Sequence, residues 1–337
     1  SKVMVNGAIM TLKKFKLSSI SGDASFRQYY RKFNPKKNLS SVIVISKKEK
    51  NKNLLVYTAI NQFLLDHNIR APRLLAENYK KGFIEIEDFG NITIHNILKK
   101  SKKKFHIYKK TVDLLIRLQK IKSRIIKNFY GKSYKLENYS VKNLHKESDL
   151  FFDWYLPLIM KKNRALKIKK VLKKELQILY KKLKFKDKIF VHRDFHVSNL
   201  MKINSRIGVI DSQDAIIGNP TYDLASLIDD VRIKTSNQLK KNIFNYYLNK
   251  CPKIYRRKKN EFIHDFNILS VQRNLKIIGI FSRLFKRDKK KQYLKLIPYT
   301  WKLLEIRSKD KMFSKINTIL NKFIPSKTRA KNKFYAN

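Results

Sequence analysis

Two apolar strand ends, each running into an acidic residue, constrain this chain more than anything else in it. Ile189, Phe190 and Val191 lead into His192-Arg193-Asp194, and Asn199 follows Asp194 by five residues. A second apolar run, Ile207 to Ile210, delivers Asp211. Phosphoryl transfer needs such a set. One carboxylate accepts the proton of an attacking hydroxyl, and an amide oxygen and a second carboxylate hold Mg²⁺ on nucleotide phosphates. Asn199 and Asp211 have the hard oxygens that Mg²⁺ prefers. A lone Asp in a loop is more often a turn former or a helix cap. The spacing of all three residues is what points to a catalytic loop spanning 190–214.

Composition narrows the class. The chain has 337 residues, 43% of them hydrophobic, enough for one large domain or two lobes and too apolar for a disordered chain. No window approaches 18 consecutive apolar residues, so no membrane partner is expected. The opening SKVMVNGAIMTLKKFKL lacks a clear apolar core and cleavage site, so no secretory signal is expected. The single Cys251 excludes an internal disulfide and agrees with a reducing, cytoplasmic setting. A formal charge of +53 raises a rival, a phosphate-steered nucleic-acid binder. The 61 lysines outnumber the 17 arginines and run along nearly the whole chain, whereas a groove reader concentrates Arg on one element. With only eight Gly and an abundance of Lys, Asn, Ile, Phe and Tyr, the charge reads as solvated faces over a genome-wide codon bias. It draws in anions, ATP included, without a specific nucleic-acid partner.

Pattern orders the rest. Residues 16–33 read as strand, turn (Ser21 to Ser25) and strand, and Ser41 to Ser46 as a β-branched strand. Asn53 to Asp66 carries Leu54, Leu55, Ala59 and Phe63 at helical spacing. Two short strands follow Ala71-Pro72, at 73–78 and 82–86. Helices are expected near 92–100, 105–121, 145–161, 164–183, 222–231, 236–249, 260–285, 290–305 and 309–323. The expected class is α+β. Residues 1–90 form a small β-rich N-lobe with a hinge at 87–90, and residues 91–337 form a large, mainly helical C-lobe holding the catalytic loop and an acceptor pocket, as in a bilobal protein-kinase-like fold.

Five segments carry a family resemblance: GDASFRQYYR (22–31), FIEIEDFGNIT (83–93), VHRDFHVSNLM (191–201), IDSQDAIIGNPTYDLASL (210–227) and VQRNLKIIGIFSRL (271–284). Together they resemble the aminoglycoside phosphotransferase/choline kinase superfamily. The first and last resemble its branch of anomeric amino-sugar kinases, which act on N-acetylmuramate and N-acetylglucosamine. The resemblance implies ATP and Mg²⁺ as cofactors and a small-molecule acceptor. It implies Asp194 as catalytic base and Asn199 and Asp211 as metal ligands. The turn Gly22, Asp23, Ala24, Ser25 and Phe26 would lie over the ATP phosphates, or be an ordinary hairpin turn. Glu87 to Phe89 would meet adenine through the backbone. His192 would hold the catalytic loop. His196 would touch the γ-phosphate or pin the loop, with the loop role favoured. Asp223 would buttress the loop or serve as a helix N-terminal carboxylate.

The chain departs from the family at one point. Members place a Lys in the strand read here as SVIVIS and pair it with a Glu on the next helix. Val44 to Ser46 holds no Lys, and the helix from Asn53 to Leu65 carries no acid. Another cation must meet the phosphates, with Arg31, Arg27 and Lys47 as candidates. On the acceptor side, residues 231–337 contain only Glu261, Asp265, Asp288, Glu305 and Asp310 as acids, which disfavours a polycation and suits an uncharged or anionic sugar. Arg273 and Asn274 are the candidate acceptor contacts, with an ion pair or a surface cation as the plainer reading of Arg273. Trp154 would stack on a sugar or fill the core. The alternatives are a kinase of a choline-like or aminoglycoside acceptor, or a catalytically weak kinase-like protein that binds nucleic acid or an acidic partner.

Overall fold

The computed structural model describes residues 2–5, 8–11, 16–20, 27–46, 52–186 and 188–334. The chain opens with a hairpin of β1 (Lys2–Val5) and β2 (Ala8–Thr11). A five-stranded antiparallel sheet follows, built from β3 (Lys16–Ile20), β4 (Arg27–Asn34), β5 (Leu39–Ser46), β6 (Leu74–Asn78) and β7 (Phe83–Glu87) in the order β3-β4-β5-β7-β6. Helix α1 (Lys52–Asp66) links β5 to β6. The β-branched run Val42 to Ile45 lies in the buried part of β5, the central strand, whose first two residues Leu39 and Ser40 are exposed; such side chains suit a pleated surface. Val42, Val44, Ile84 and Ile86 present one face of the sheet to Leu54 and Tyr57 of α1.

Later elements are α2 (Ile94–Lys100), α3 (Lys104–Gln119), the hairpin β8 (Ile125–Lys127) and β9 (Ser133–Lys135), α4 (Val141–Leu150), a π-helical stretch Phe151–Tyr155, α5 (Leu156–Ile159) and α6 (Lys162–Lys181). Then come β10 (Ile189–Val191), the hairpin β11 (Leu200–Ile203) and β12 (Arg206–Val209), and β13 (Ile216–Gly218). Helices α7 (Thr221–Ile228), α8 (Asn237–Lys250), α9 (Lys253–Arg257), α10 (Lys259–Lys286), α11 (Ile297–Arg307), α12 (Ser314–Phe323) and α13 (Ser326–Arg329) complete the chain.

The chain forms two compact units that do not divide at residue 90. One comprises residues 1–107, 120–136 and 192–215, and the other 108–119, 137–191 and 216–337. The catalytic-loop segment groups with the sheet because its hairpin is bonded there. Lys202 N–H donates to the Ile92 carbonyl (2.8 Å) and Val209 N–H to the Arg70 carbonyl (2.8 Å).

The second unit is organised on α10, about 42 Å long at 1.5 Å per residue. From Ile268 to Phe285 only Lys276, Ile280 and Arg283 escape full burial, so this is a central helix and not an amphipathic one. Phe151, Tyr155 and Trp301 cluster beside it, with ring centroids 5.2–5.8 Å apart. The helix expected over 145–161 begins earlier, at Val141, because the Ser140 hydroxyl caps it by accepting the Asn143 N–H (3.2 Å). Among the described residues no helix is long and apolar enough to cross a membrane.

Candidate active site

The β11–β12 hairpin places the candidate residues Asn199 and Asp211. Its register pairs Leu200 with Val209, so Asn199 and Ile210 face each other at the open end, and Ile210 N–H donates to the Asn199 carbonyl (3.1 Å). Asp211 follows at once. The sequence-expected metal ligands therefore meet at one end of a two-stranded ribbon. Upstream, the fully buried His192 closes the loop. Asp194 N–H donates to His192 Nδ1 (3.2 Å), which leaves Nε2 to donate to the Ile210 carbonyl (3.0 Å). The neutral tautomer with the proton on Nε2 satisfies both bonds. Asn199 Nδ2 donates to the Asp194 carbonyl (3.0 Å) and lies 3.2 Å from His196 Nε2, so His196 pins the loop. Arg193 (φ 78°) and Asp211 (φ 61°) both adopt the left-handed conformation that non-glycine residues rarely take.

The oxygens left over suit a hard cation. The Asn199 amide spends its N–H groups on the loop, and its oxygen accepts no hydrogen bond among the described residues. Asp211 Oδ1 accepts from Gln213 Nε2 (2.7 Å), while its other oxygen accepts none there. Burial, and after it the neighbouring Asp194 charge, push the Asp211 carboxyl above its ordinary value. A buried carboxylate whose proton affinity a neighbouring carboxylate raises is a place where a divalent cation is welcome. The described residues contain no group of three or more His, Cys, Asp or Glu able to hold a metal. An ion held by Asn199 and Asp211 would thus complete its shell with phosphate and water, as Mg²⁺ does.

On the nucleotide side, Gly22, Asp23, Ala24, Ser25, Phe26 and Lys47 lie outside the described residues. Arg31 is paired within the sheet unit. Its guanidinium grips Asp88 with Nε–Oδ2 at 2.6 Å and Nη2–Oδ1 at 3.1 Å, and Nη2 also donates to the Gly90 carbonyl (3.3 Å). Burial alone would raise the Asp88 carboxyl, but this bidentate pair outweighs it and holds the group below its ordinary value. Arg31 therefore braces the strand-to-hinge turn. The Glu87 side chain pairs with Arg70 and accepts the Arg73 N–H (3.3 Å). Phe89 lies under the Arg70 guanidinium (5.0 Å) and against Gly208, where a Cβ would come within 2.6 Å of the ring. Both side chains are engaged within the 87–90 turn.

In the second unit, Arg273 is 3% exposed, and its Nε and Nη1 have no hydrogen-bond partner among the described residues. It lies over the Tyr222 ring (5.6 Å). Tyr222 donates to Glu147 (2.8 Å), and Lys276 Nζ lies 3.4 Å from Glu147. The cluster thus holds two cations against one acid. Asn274 is also buried, but it faces Ser270 (3.5 Å), whose hydroxyl binds Asp229 (2.6 Å). Consecutive helix residues point about 100° apart, so Arg273 and Asn274 do not act on one atom. Asp223 is buried in the first turn of α7, where a carboxylate is stabilised by the helix dipole. Trp154 is half-buried, while its neighbours Phe151, Phe152 and Tyr155 are core.

Sequence reasoning passed over Tyr57, Asp88 and Gln213. Only Tyr57 left a signal: an aromatic residue on the helix where an acid was sought. A model of the phosphotransferase enzyme family matches residues 16–259. The N-acetylmuramate/N-acetylglucosamine kinase of Neisseria meningitidis is 29% identical over 296 residues, covering 85% of this chain and 84% of that one. The protein of the same name from Pseudomonas aeruginosa is 28% identical over 292 residues, covering 85% and 81%. Among solved structures, an amicoumacin kinase in complex with AMP-PNP, Ca²⁺ and Ami shares the α+β, protein-kinase-like fold. Its TM-score is 0.59 at 12% identity, over 90% of this chain and 92% of that one. The matched span takes in the sheet, the hinge and the whole catalytic loop, and the chain belongs to the phosphotransferase enzyme family.

Proposed function

We propose that this phosphotransferase carries the γ-phosphate of ATP to the anomeric hydroxyl of N-acetylmuramate or N-acetylglucosamine, a step in cell-wall recycling. The observation that supports the chemistry is the hairpin end, where one side-chain oxygen of Asn199 and one of Asp211 accept no hydrogen bond among the described residues and the Asp194 charge acts on Asp211. Asp194 orients the acceptor hydroxyl and takes its proton. Asn199 and Asp211 hold Mg²⁺, which when bound neutralises charge developing on the transferred group. His192 and His196 fix the loop so that Asp194 needs no rearrangement before reaction. Gly22 to Phe26 are proposed to cover the phosphates, and the backbone of Glu87 to Phe89 to meet adenine.

The names of the bacterial relatives support an amino sugar as acceptor. The buried Arg273 guanidinium supports an acceptor with an anionic group, such as the lactyl carboxylate of N-acetylmuramate. Two cations against one acid around Tyr222 disfavour a polycationic acceptor. The test is phosphorus NMR of the product formed from ATP and each sugar, with choline and kanamycin as competing acceptors. A sugar 1-phosphate is expected. A 6-phosphate refutes the anomeric assignment, and turnover of choline or kanamycin without turnover of either sugar moves the protein to another branch.

A further inference from the structure

The ribbon that ends in Asn199 and Asp211 is slight. Strands β11 and β12 form a two-stranded sheet of four residues each, and a ribbon of that size does not hold itself in water. It is held chiefly at one rung. Met201 and Gly208 face each other in the register, and Met201 bridges to Thr93 on one edge while Gly208 bridges to Arg70 on the other. The bonds to the Ile92 and Arg70 carbonyls come from the neighbouring Lys202 and Val209. Nearer the closed end, the long Arg206 side chain adds an exposed bond to the Asn68 carbonyl (2.9 Å). Bonds along one rung fix its height and leave the tilt of the ribbon to packing on its face. Asn199 lies two residues beyond the rung and Asp211 three, so any tilt is carried about 7–10 Å outward, at 3.3 Å per residue. A hard ion needs its ligand oxygens at about 2.0–2.1 Å and absorbs little of such a movement.

The rung carries one contact built to close tolerance. The Phe89 ring occupies the space where a side chain of residue 208 would go. A Cβ there would lie 2.6 Å from Cε2 and 3.0 Å from Cδ2 of the ring, and 3.1 Å from Cγ1 of Ile203. The backbone does not ask for glycine at this point, since Gly208 is absent from the positive-φ residues and sits in a regular antiparallel pair. A β-branched residue would suit the strand better, and glycine inside a strand marks a close approach. Here the approach is the ring. The ring is held in turn by the Arg70 guanidinium, 5.0 Å from its centroid, and Glu87 keeps that cation in place by accepting from Arg70 Nη1 (2.8 Å). Ring, cation, acid and ribbon all belong to one compact unit.

We infer that Phe89, seated on Gly208, is a positioning residue that sets the tilt of the β11–β12 ribbon and so the placement of Asn199 and Asp211 as metal ligands. The inference deepens the metal-dependent reading above and rests on it. The experiment titrates Mn²⁺, followed by electron paramagnetic resonance, into protein saturated with ADP. Wild type, Gly208→Val, Phe89→Ala and the double variant are compared, with thermal melts to establish that each folds. Valine suits a strand, yet at position 208 it displaces the ring, so Gly208→Val should fold and should weaken Mn²⁺ at least tenfold, as the loss of groups that orient metal ligands does. Phe89→Ala, which leaves the rung unsupported, should also weaken it. In the double variant the valine takes up room that the ring has left, and most of the loss should be recovered. If Gly208→Val does not fold, Gly208→Ala with Phe89→Leu as its rescue carries the same expectation. Wild-type Mn²⁺ affinity in the folded position-208 variant overturns the inference, as does a double variant no better than the position-208 variant alone. A wild-type protein that binds no Mn²⁺ in the presence of ADP sinks the metal-dependent reading itself, and that result is read before any variant is made.

Discussion

Gly279 sits where α10 passes closest to the backbone of another segment. A Cβ there would lie 2.5 Å from the Leu150 carbonyl oxygen and 2.5 Å from the Phe151 nitrogen, and closer still to the carbonyl carbon between them. These are backbone atoms at the junction of α4 with the π-helical stretch, so no side-chain rotation relieves the clash. Ordinary carbon contacts are about 3.5–4.0 Å, so the two segments would have to part by roughly 1 Å. Intrinsic propensity favours Ala over Gly in a helix by about 1 kcal/mol. Overpacking a close-packed core costs about 1–3 kcal/mol, and a backbone-on-backbone clash belongs at the upper end. Gly279→Ala should therefore lose about 2 kcal/mol net. For a unit of 150–250 residues that is a fall in Tm of about 4–8 °C. Thermal melts and urea titrations measure it. A Tm equal to or above wild type would show that propensity wins and that the close approach is not structurally required.

Asp194→Asn should keep nucleotide binding and lose about 10²–10⁴-fold or more in kcat, measured by coupled ATP turnover. Asp211→Asn should weaken Mg·ATP binding and turnover together. Because the Asp211 carboxyl is raised in the folded protein, its ionised form costs stability at neutral pH. The neutral variant should therefore melt higher than wild type without ligand, and a lower Tm refutes the repulsion between the two carboxylates. Arg273→Ala should hurt N-acetylmuramate by about 1.5–3 kcal/mol more than N-acetylglucosamine in kcat/KM, and equal losses refute a carboxylate grip. Burial would raise the Asp229 carboxyl, but Arg307, with Lys240, outweighs it and holds the group below its ordinary value. Its contribution to stability is complete above the unfolded value of about 3.9 and is lost as pH falls through the lower folded value. Asp229→Asn should flatten that acid limb in pH-dependent melts and cost about 3–5 kcal/mol at neutral pH, since it strands buried cations.

The strand and helix of the sheet unit were legible because each follows from a local rule. The β-branched run at 41–46 and the 3.6-residue spacing at 53–66 translate directly into β5 and α1, and the apolar runs before Asp194 and Asp211 into β10 and β12. The β8–β9 hairpin was not legible. Its strands are three residues long and lysine-rich, and its turn is set by Gly131 at φ 81° and by Asn128, whose side chain accepts the Tyr130 and Lys132 N–H groups. Nor did the sequence show that Arg31 pairs with Asp88 while Arg27 lies over the Tyr57 ring. A division at residue 90 follows from the change from strand to helix patterns, whereas the bonds of the β11–β12 hairpin to the Arg70 and Ile92 carbonyls are long-range pairing with no signature in sequence.

The same hairpin makes turn length a remote gauge for the two residues proposed to hold the metal. Its closed end is the two-residue connection Asn204-Ser205, with Asn204 at φ 52°, roughly 17 Å of strand away from Asn199 at 3.3 Å per residue. One residue added to that turn with the register carried into β11 would slide Asn199 past Ile210 by a full step of about 3.3 Å and turn its side chain to the opposite face. A hard ion that demands ligand oxygens at 2.0–2.1 Å in near-octahedral array cannot absorb such a step. The length of that turn sets whether the two oxygens proposed to hold one ion stay level at the far end of the ribbon.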